Sequence, residues 1–310
     1  MRILIPGGTG FLGSLLSRHW AAEGHDVVVL SRHPGRAHPA HPAVRTLEWD
    51  GRTATGWAAE VDGADAIVNL AGESIGGVGT LQILLQRWTP EKKRRILESR
   101  ANAGRAIVEA VRGAVRKPIL LIQNGAIGYY GTSSTLELDE DSPPGNDFLA
   151  GVVQAWEAST AAVETMGVRR ALLRTAVVLS PRGGTLAMMM LPFRLWVGGP
   201  LGSGRQWMPW VHHQDVVAAI RFILGKPEAS GVYNLVAPEA VTNGDIGRAI
   251  GRHLRRPYWL PVPSVALRAL LGEKATIVLD GQRAVPRRLL REGFRFAFPG
   301  LDAALADLLG

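Results

Sequence analysis

The sequence predicts an α/β fold: a Rossmann-type doubly wound parallel sheet with a smaller C-terminal domain. Three observations predict it. Short β-branched runs alternate with helical patterns over the first 125 residues, and such alternation builds parallel βαβ units. A glycine-rich bend, GGTGFLG at residues 7–13, follows the first run directly. From about Pro181 the texture changes to glycine-rich turns at 183–184, 198–204 and 230–231 with aromatic clusters between them.

The elements follow in order. RILIP is a strand, and Phe11 to Glu23 a helix that Gly24 ends as a C-terminal glycine does. DVVVL, VRTLEW and DAIVNLAG continue the sheet, a long helix runs through Arg112, and PILLI is the next strand. Helical pattern returns at 147–166, followed by the strand-like RRALLRTAVVL. Residues 1–180 are therefore expected to form the nucleotide-binding domain and 181–310 the smaller one, with some chain crossing back to the sheet. A ligand is expected at the carboxyl ends of the strands, where their order reverses.

With 310 residues and 46% hydrophobic composition the chain has ample material for a core. It has no cysteine, which excludes disulfides, thiolate nucleophiles and cysteine-held metals. The net charge of +8 comes from arginines scattered among acidic residues, a pattern that argues against a nucleic-acid partner. The densest basic runs, Lys92-Lys93-Arg94-Arg95 and Arg287-Arg288 with Arg291, read as solvated helix faces. No apolar run is long enough for a membrane span and no signal pattern precedes the first strand. The expected location is cytoplasmic, with no membrane partner. His33, His38 and His41 fall in a proline-rich loop without acidic neighbours, so no metal site is expected there.

Gly7, Gly10 and Gly13 give GxxGxxG between a strand and a helix, with Gly8, Thr9, Phe11 and Leu12 completing the loop. In that setting backbone N–H groups cradle a pyrophosphate at the helix N-terminus. A site specific for NAD carries an acidic residue at the end of the second strand. This chain has Ser31 and Arg32 there, which suit a 2′-phosphate, so the expected cofactor is NADP(H). Arg36 is a possible second contact. Asp50 has two readings, an adenine contact or a turn and cap residue.

GGTGFLG, NLAG at 69–72 and GYYG at 128–131 resemble, in that order, the extended short-chain dehydrogenase/reductase superfamily. RWTPEKKRRILESR, GGPLGSGRQWMPWVH, GVYNLVAPEAVTN and GQRAVPRRLLREGFRF resemble its atypical "epimerase family" subgroup, NAD-dependent epimerase/dehydratase-like. The resemblance spans nearly the whole chain. It implies that Leu70, Ala71, Gly72 and Asn124 line the cofactor, and it implies an acid–base tyrosine four residues before a lysine. No such pair exists here: counting back from Trp156-Glu157, those positions hold Leu149 and Val153, and the position of the usual serine holds Gly125. Asn124 beside it can stand in as a donor or simply close the strand end. Arg100 occupies a position where the superfamily has asparagine and the subgroup arginine. It supplies positive charge near the nicotinamide or an ion pair on the helix surface. The stretch between Ile75 and Arg87 is longer than the subgroup pattern and reads as a lid or partner surface.

GSGRQWMPWVHHQD resembles the segment that closes the substrate cleft. Arg205, Gln206, Trp207 and Trp210 suit a polar ligand with a flat or anionic part. Met188, Met189 and Met190 read as core or cleft wall. His212 is the acid–base candidate nearest neutrality, followed by Tyr130 and Tyr129; its alternative is a structural hydrogen-bonding residue. Asp215 reads as the cap of the helix DVVAAIRFIL, and Gln282 and Arg283 as possible cleft residues. Two functions follow from these readings. One is an NADP(H)-dependent oxidoreductase or epimerase acting on an unidentified polar small molecule with a non-standard acid–base group. The other is a non-catalytic NADP(H)-binding sensor or regulatory protein.

Overall fold

The computed structural model describes residues 1–34, 41–75, 87–181 and 183–310. In the first half the chain runs β1 (Arg2–Pro6), α1 (Phe11–Ala22), β2 (Asp26–Ser31), β3 (Arg45–Glu48), β4 (Ala66–Asn69), α2 (Pro90–Gly113), β5 (Leu120–Ala126), β6 (Glu137–Leu138), α3 (Phe148–Ala158) and β7 (Arg169–Thr175). It continues through β8 (Val177–Leu179), α4 (Thr185–Arg194), β9 (Trp210–His212), α5 (His213–Gly225) and β10 (Gly231–Leu235). Beyond lie α6 (Asn243–Leu254), α7 (Ser264–Leu271), α8 (Thr276–Leu279), β11 (Arg283–Ala284), α9 (Arg287–Arg291) and α10 (Leu301–Leu309).

Seven strands form one parallel sheet in the order β10-β7-β5-β4-β1-β2-β3. The order reverses between β1 and β4, the switch point of a doubly wound fold. Strand periodicity divides the core. Ile3, Ile5, Val27 and Val29 pack on one face with Leu16 and Trp20 of α1 and Ile220 of α5. Leu4, Val28, Leu30 and Ile67 pack on the other with Trp57 and with Ala103, Ile107 and Val111 of α2. A third core joins Leu186, Met190 and Phe193 of α4, Ile246 and Ile250 of α6, and Leu301, Leu305 and Leu308 of α10. All of that third core comes from β8 onward.

Two details differ from the sequence reading. The run RRALLRTAVVL breaks at Ala176 into β7 and β8, and β8 leaves the main sheet to pair with Trp210–His212. The helix predicted over 147–166 is α3 followed by a separate 3-10 turn, Ala161–Met166. β10 lies at the edge of the main sheet, paired with β7. Among the described residues no helix is long and apolar enough to cross a membrane.

Candidate cofactor and substrate site

The four glycines of the first loop have separate duties. Gly7 has a φ of +80°, and a Cβ on it would lie 2.8 Å from the Ala71 nitrogen. A Cβ on Gly8 would meet Val29 at 2.7 Å, and one on Gly13 would sit 2.4 Å from Gly8 Cα. Those three glycines let strand, loop and helix touch. Gly10 is different: a Cβ there meets the Gly7 carbonyl oxygen at 3.2 Å and nothing else within 4 Å. Gly10 is also the N-cap of α1, with no side-chain cap and no acidic residue in the first turn. Thr9 and Gly10 are exposed and Phe11 and Leu12 half-buried, so the positive end of the helix opens outward.

Beside this loop, Ser31 is buried, its Oγ 3.0 Å from Thr9 Oγ1 and accepting the His33 N–H. Arg32 is exposed and its Cδ stem lies over Gly51. Asp50 takes the turn role. Its carboxylate accepts the N–H groups of Arg52 and Thr53 and the Thr53 hydroxyl; desolvation, the largest single influence, pushes its pKa up, but these bonds and the Arg52 charge together hold it below the usual carboxylate range. Arg36, His38 and the insertion at 76–86 lie outside the described residues. Among the described residues no three histidine or acidic side chains gather as metal ligands.

At the strand ends, a buried amide ladder that the sequence reading missed fixes the next loop. Asn69 Nδ2 donates to Gln123 Oε1 at 2.9 Å, and Asn69 Oδ1 accepts the Ala71 N–H. Leu70 donates its N–H to the Pro6 carbonyl. The Thr175 hydroxyl donates to Asn124 Oδ1 at 2.8 Å, so a donor is what the Asn124 amide has to offer a ligand. Gly72 follows, and Arg100 lies directly behind it, where a Cβ on Gly72 would meet its guanidinium carbon at 3.0 Å. Arg100 is buried rather than on the helix surface, donating to the carbonyls of Glu73 and Ile96 and stacked over Trp156. Burial lowers its pKa to about 10, opposed by Glu73. It remains a cation at neutral pH.

The three positions to which the resemblance assigns acid–base chemistry, Gly125, Leu149 and Val153, hold no titratable side chain. A Cβ on Gly125 would meet the Leu173 carbonyl oxygen at 3.2 Å, Glu157 Oε1 at 3.3 Å and Val153 at 3.6 Å, and one on Gly128 would touch Leu149. The tyrosines next to them belong to a buried network. Tyr130 donates its O–H to Asn234 at 2.6 Å and accepts from Arg174, which is itself paired with Glu157 through two bonds at 2.9 and 3.1 Å. Desolvation pushes the Tyr130 phenol up to about 12 despite Arg174 and Asn234. A phenol 5% exposed and committed on both sides is a fold component, not an accessible acid. Tyr129 is half-buried with the Arg174 guanidinium 3.3 Å from its ring centre.

The residues predicted to wall the cleft mostly bind the chain to itself. Trp210 is fully buried and donates to the Glu239 carbonyl, which corrects its reading as a substrate contact. Gln206 donates to the carbonyls of Leu201 and Val278, and Trp207 to that of Ser134. Arg205 is exposed. Gln282 donates to the Ile127 carbonyl just past β5, and Arg283 pairs with Glu137. Met190 is core, with Met188 and Met189 half-buried beside it.

His212 is likewise corrected. Its ring is 0% exposed, packed against Phe298 with ring centres 3.8 Å apart, and its Nδ1 accepts the Gln214 N–H as the N-cap of α5. Its Nε2 lies 3.2 Å from Asp307 of α10. Burial, and then the neighbouring His213, lower its pKa to about 4, so it is neutral and out of a substrate's reach. Asp215 is therefore not the cap. Its buried carboxylate accepts the N–H groups of Ala297 and Phe298 and ties down the C-terminal segment.

With this geometry in hand, comparison with known proteins is informative. A model described as the NAD dependent epimerase/dehydratase family matches residues 3–236, and a domain of unknown function (DUF1731) matches residues 262–308. Bovine epimerase family protein SDR39U1 is 38% identical over 312 residues, covering 100% of both chains. The Bacillus subtilis epimerase family protein YfhF is 37% identical over 317 residues, covering 100% of this chain and 98% of its own. The crystal structure of human SDR39U1 (isoform 2) with NADPH superposes with a TM-score of 0.87 at 35% identity, covering 100% of this chain and 99% of that one.

Proposed function

Since the chain belongs to the NAD dependent epimerase/dehydratase family, we propose that it binds NADP(H) and acts as an oxidoreductase or epimerase on a small polar molecule. The observation that carries the cofactor reading is the open end of α1, with Gly10 bare and uncapped beside Ser31 and Arg32. A Cβ on Gly10 would fill that cradle, so the residues present fit a dinucleotide. The N–H groups at the start of α1 would receive its pyrophosphate, Ser31 and Arg32 its 2′-phosphate, and the Leu70–Gly72 backbone and Asn124 its ribose and nicotinamide end. The NADPH bound to the human relative supports the same reading. When bound, the nicotinamide supplies hydride chemistry. Arg100 holds a fixed positive charge behind Gly72, and Gly125, Leu149 and Val153 offer no side chain that moves a proton.

The lack of a titratable side chain at Gly125, Leu149 and Val153 favours a second reading, a protein that senses NADP(H) without turnover. Calorimetric titration tests the shared part. NADPH should bind more tightly than NADH, and Arg32→Ala should remove about 1.5–3 kcal/mol of that preference, the worth of a charge-assisted contact; equal affinities in the parent protein reject the assignment. Turnover separates the two readings. General acid catalysis contributes about 10²–10⁴-fold, so simple aldehydes and ketones should give almost no NADPH oxidation. Efficient reduction of them would show that another group supplies the proton and would reject the sensor reading.

A further inference from the structure

Residues 165–214 and 246–272 contain no aspartate or glutamate. The fold sets one segment from each stretch side by side. Past α4 the chain turns through Leu195, Trp196 and Val197, and past α6 it runs through Arg255 and Arg256 to Trp259 and Leu260. Trp259 donates its indole N–H to the Trp196 carbonyl at 2.9 Å, and the backbone N–H groups of Trp259 and Leu260 both donate to the Gly198 carbonyl. The Arg256 guanidinium lies 4.2 Å from the centre of the Trp196 ring.

The apolar side chains gathered here face solvent. Trp196 is 55% exposed and Trp259 61%, and Leu195, Val197 and Leu260 are exposed beside them. Exposed apolar residues scattered singly are ordinary, whereas a contiguous group marks a contact surface. Backbone strain gathers in the same place: Trp196, with a φ of +63°, and Arg255, with +53°, are the two non-glycine residues of positive φ among the described residues. Side chains rarely adopt that conformation, and it persists only where the surroundings enforce it. Glycine takes it freely, but here it carries an exposed indole and an exposed arginine.

The charge around the rings selects the occupant. Arg194, Arg255 and Arg256 border them, and among the described residues none of the three has an acidic partner; Asp302 is held by Arg252 and His253. The stretches outside the described residues contain no acidic residue either. A two-fold contact with a second copy would set these arginines against one another. Rings that stand this far clear of the surface need matching hollows in a folded partner, but a fluid headgroup layer closes around them. The Trp259 N–H is already satisfied, so its ring enters an apolar layer without stranding a donor, while the arginines reach the lipid phosphates and carboxylates.

We propose that this face, Leu195–Val197 with Trp259, Leu260 and the three arginines, docks on an anionic phospholipid bilayer. The contact is peripheral, since no helix among the described residues is long and apolar enough to cross a membrane. The expectation of no membrane partner rested on the lack of a spanning run and a signal pattern, and neither bears on a surface that lies against a bilayer. None of these residues is assigned to the nucleotide, so the inference stands apart from the cofactor reading.

The test is co-sedimentation of the full chain with vesicles of phosphatidylcholine alone and of phosphatidylcholine mixed with phosphatidylserine. Binding is expected to the mixed vesicles only, and it should weaken as salt rises. Brominated acyl chains in those vesicles should quench part of the tryptophan fluorescence. Trp196→Gly combined with Trp259→Ser should lose the quenching and weaken binding by about tenfold or more. Trp196→Gly alone should melt no lower than the parent, because glycine accepts the left-handed φ. Arg194→Gln combined with Arg255→Gly, the second a favourable helix end, should weaken binding about twentyfold, at about fivefold per arginine. Arg221→Ala, which removes an exposed arginine already paired with Glu23, should leave it unchanged. A parent protein that ignores the mixed vesicles overturns the proposal. So does a double tryptophan variant that binds them as the parent does, which would make the attraction a diffuse effect of the net charge of +8. Binding of polyglutamate that the mixed vesicles cannot displace would give the face to an acidic protein instead. A parent that sediments as a dimer, turned monomeric by the two tryptophan changes and without vesicle binding, would give it to a second copy.

Discussion

Gly10 and Gly13 sit in the same loop, and the space around each gives it a different sensitivity to substitution. Gly10→Val should abolish NADPH binding in a titration while leaving the melting temperature nearly unchanged, because the added side chain enters the phosphate's place rather than the core. Gly13→Ala should instead cost about 1–3 kcal/mol in urea unfolding, since its Cβ would be driven against Gly8 backbone 2.4 Å away. Undiminished binding in the first variant, or undiminished stability in the second, would reverse these assignments. His212 gives a pH signature. Its pKa falls from an ordinary 6.5 to about 4 on folding, so between those values the unfolded chain binds the extra proton and stability falls as pH drops. His212→Asn keeps a capping acceptor without the titration and should show a flatter Tm profile from pH 6.5 to 4; an unchanged slope would refute the account. Residue types alone could not show this burial. The burial of Lys92 was legible in principle, because Lys92, Ile96 and Arg100 recur at four-residue spacing on one helix stripe. Read as part of a basic run, it was assigned to solvent.

Secondary elements were legible where their signals are local. The glycine loop between β1 and α1, and the strands up to β5, follow from periodicity and turn residues within a few positions. The network of Glu157 on α3, Arg174 on β7, Tyr130 after β5 and Asn234 on β10 was not, because its members come from four elements far apart in the chain. The break at Ala176 was hidden for a similar reason: β8 is drawn out of the sheet by β9, whose residues lie much later. The network predicts a large effect at element scale. Glu157→Gln would leave the buried Arg174 charge without its counter-ion, at a cost of about 3–5 kcal/mol. Chemical denaturation should show that loss, with NADPH affinity of the folded fraction unchanged. A loss below 1 kcal/mol would mean that solvent already reaches Arg174.

For the whole molecule, the doubly wound order could be anticipated because each βαβ unit nearly dictates its neighbour. The return of residues 210–235 to the sheet could be anticipated only in outline, since nothing near β10 names β7 as its partner. Asp215 then holds Ala297 and Phe298, and β6 pairs with β11, so the last third of the chain is fastened to itself and to the middle third. This closure has a consequence during synthesis. Until Gly231–Leu235 leave the ribosome, β7 is the bare outer strand of a growing parallel sheet, with its row of backbone donors and acceptors open to another nascent copy. A chain stopped at residue 230 should therefore collect in the insoluble fraction, while the full chain made under the same conditions stays in solution. Soluble, monomeric product from the shortened chain would show that β7 is shielded by something other than β10. The slowest stage of production would then be the wait for the sealing strand, and slower translation between codons 175 and 235 should lower the yield more than the same delay placed after it.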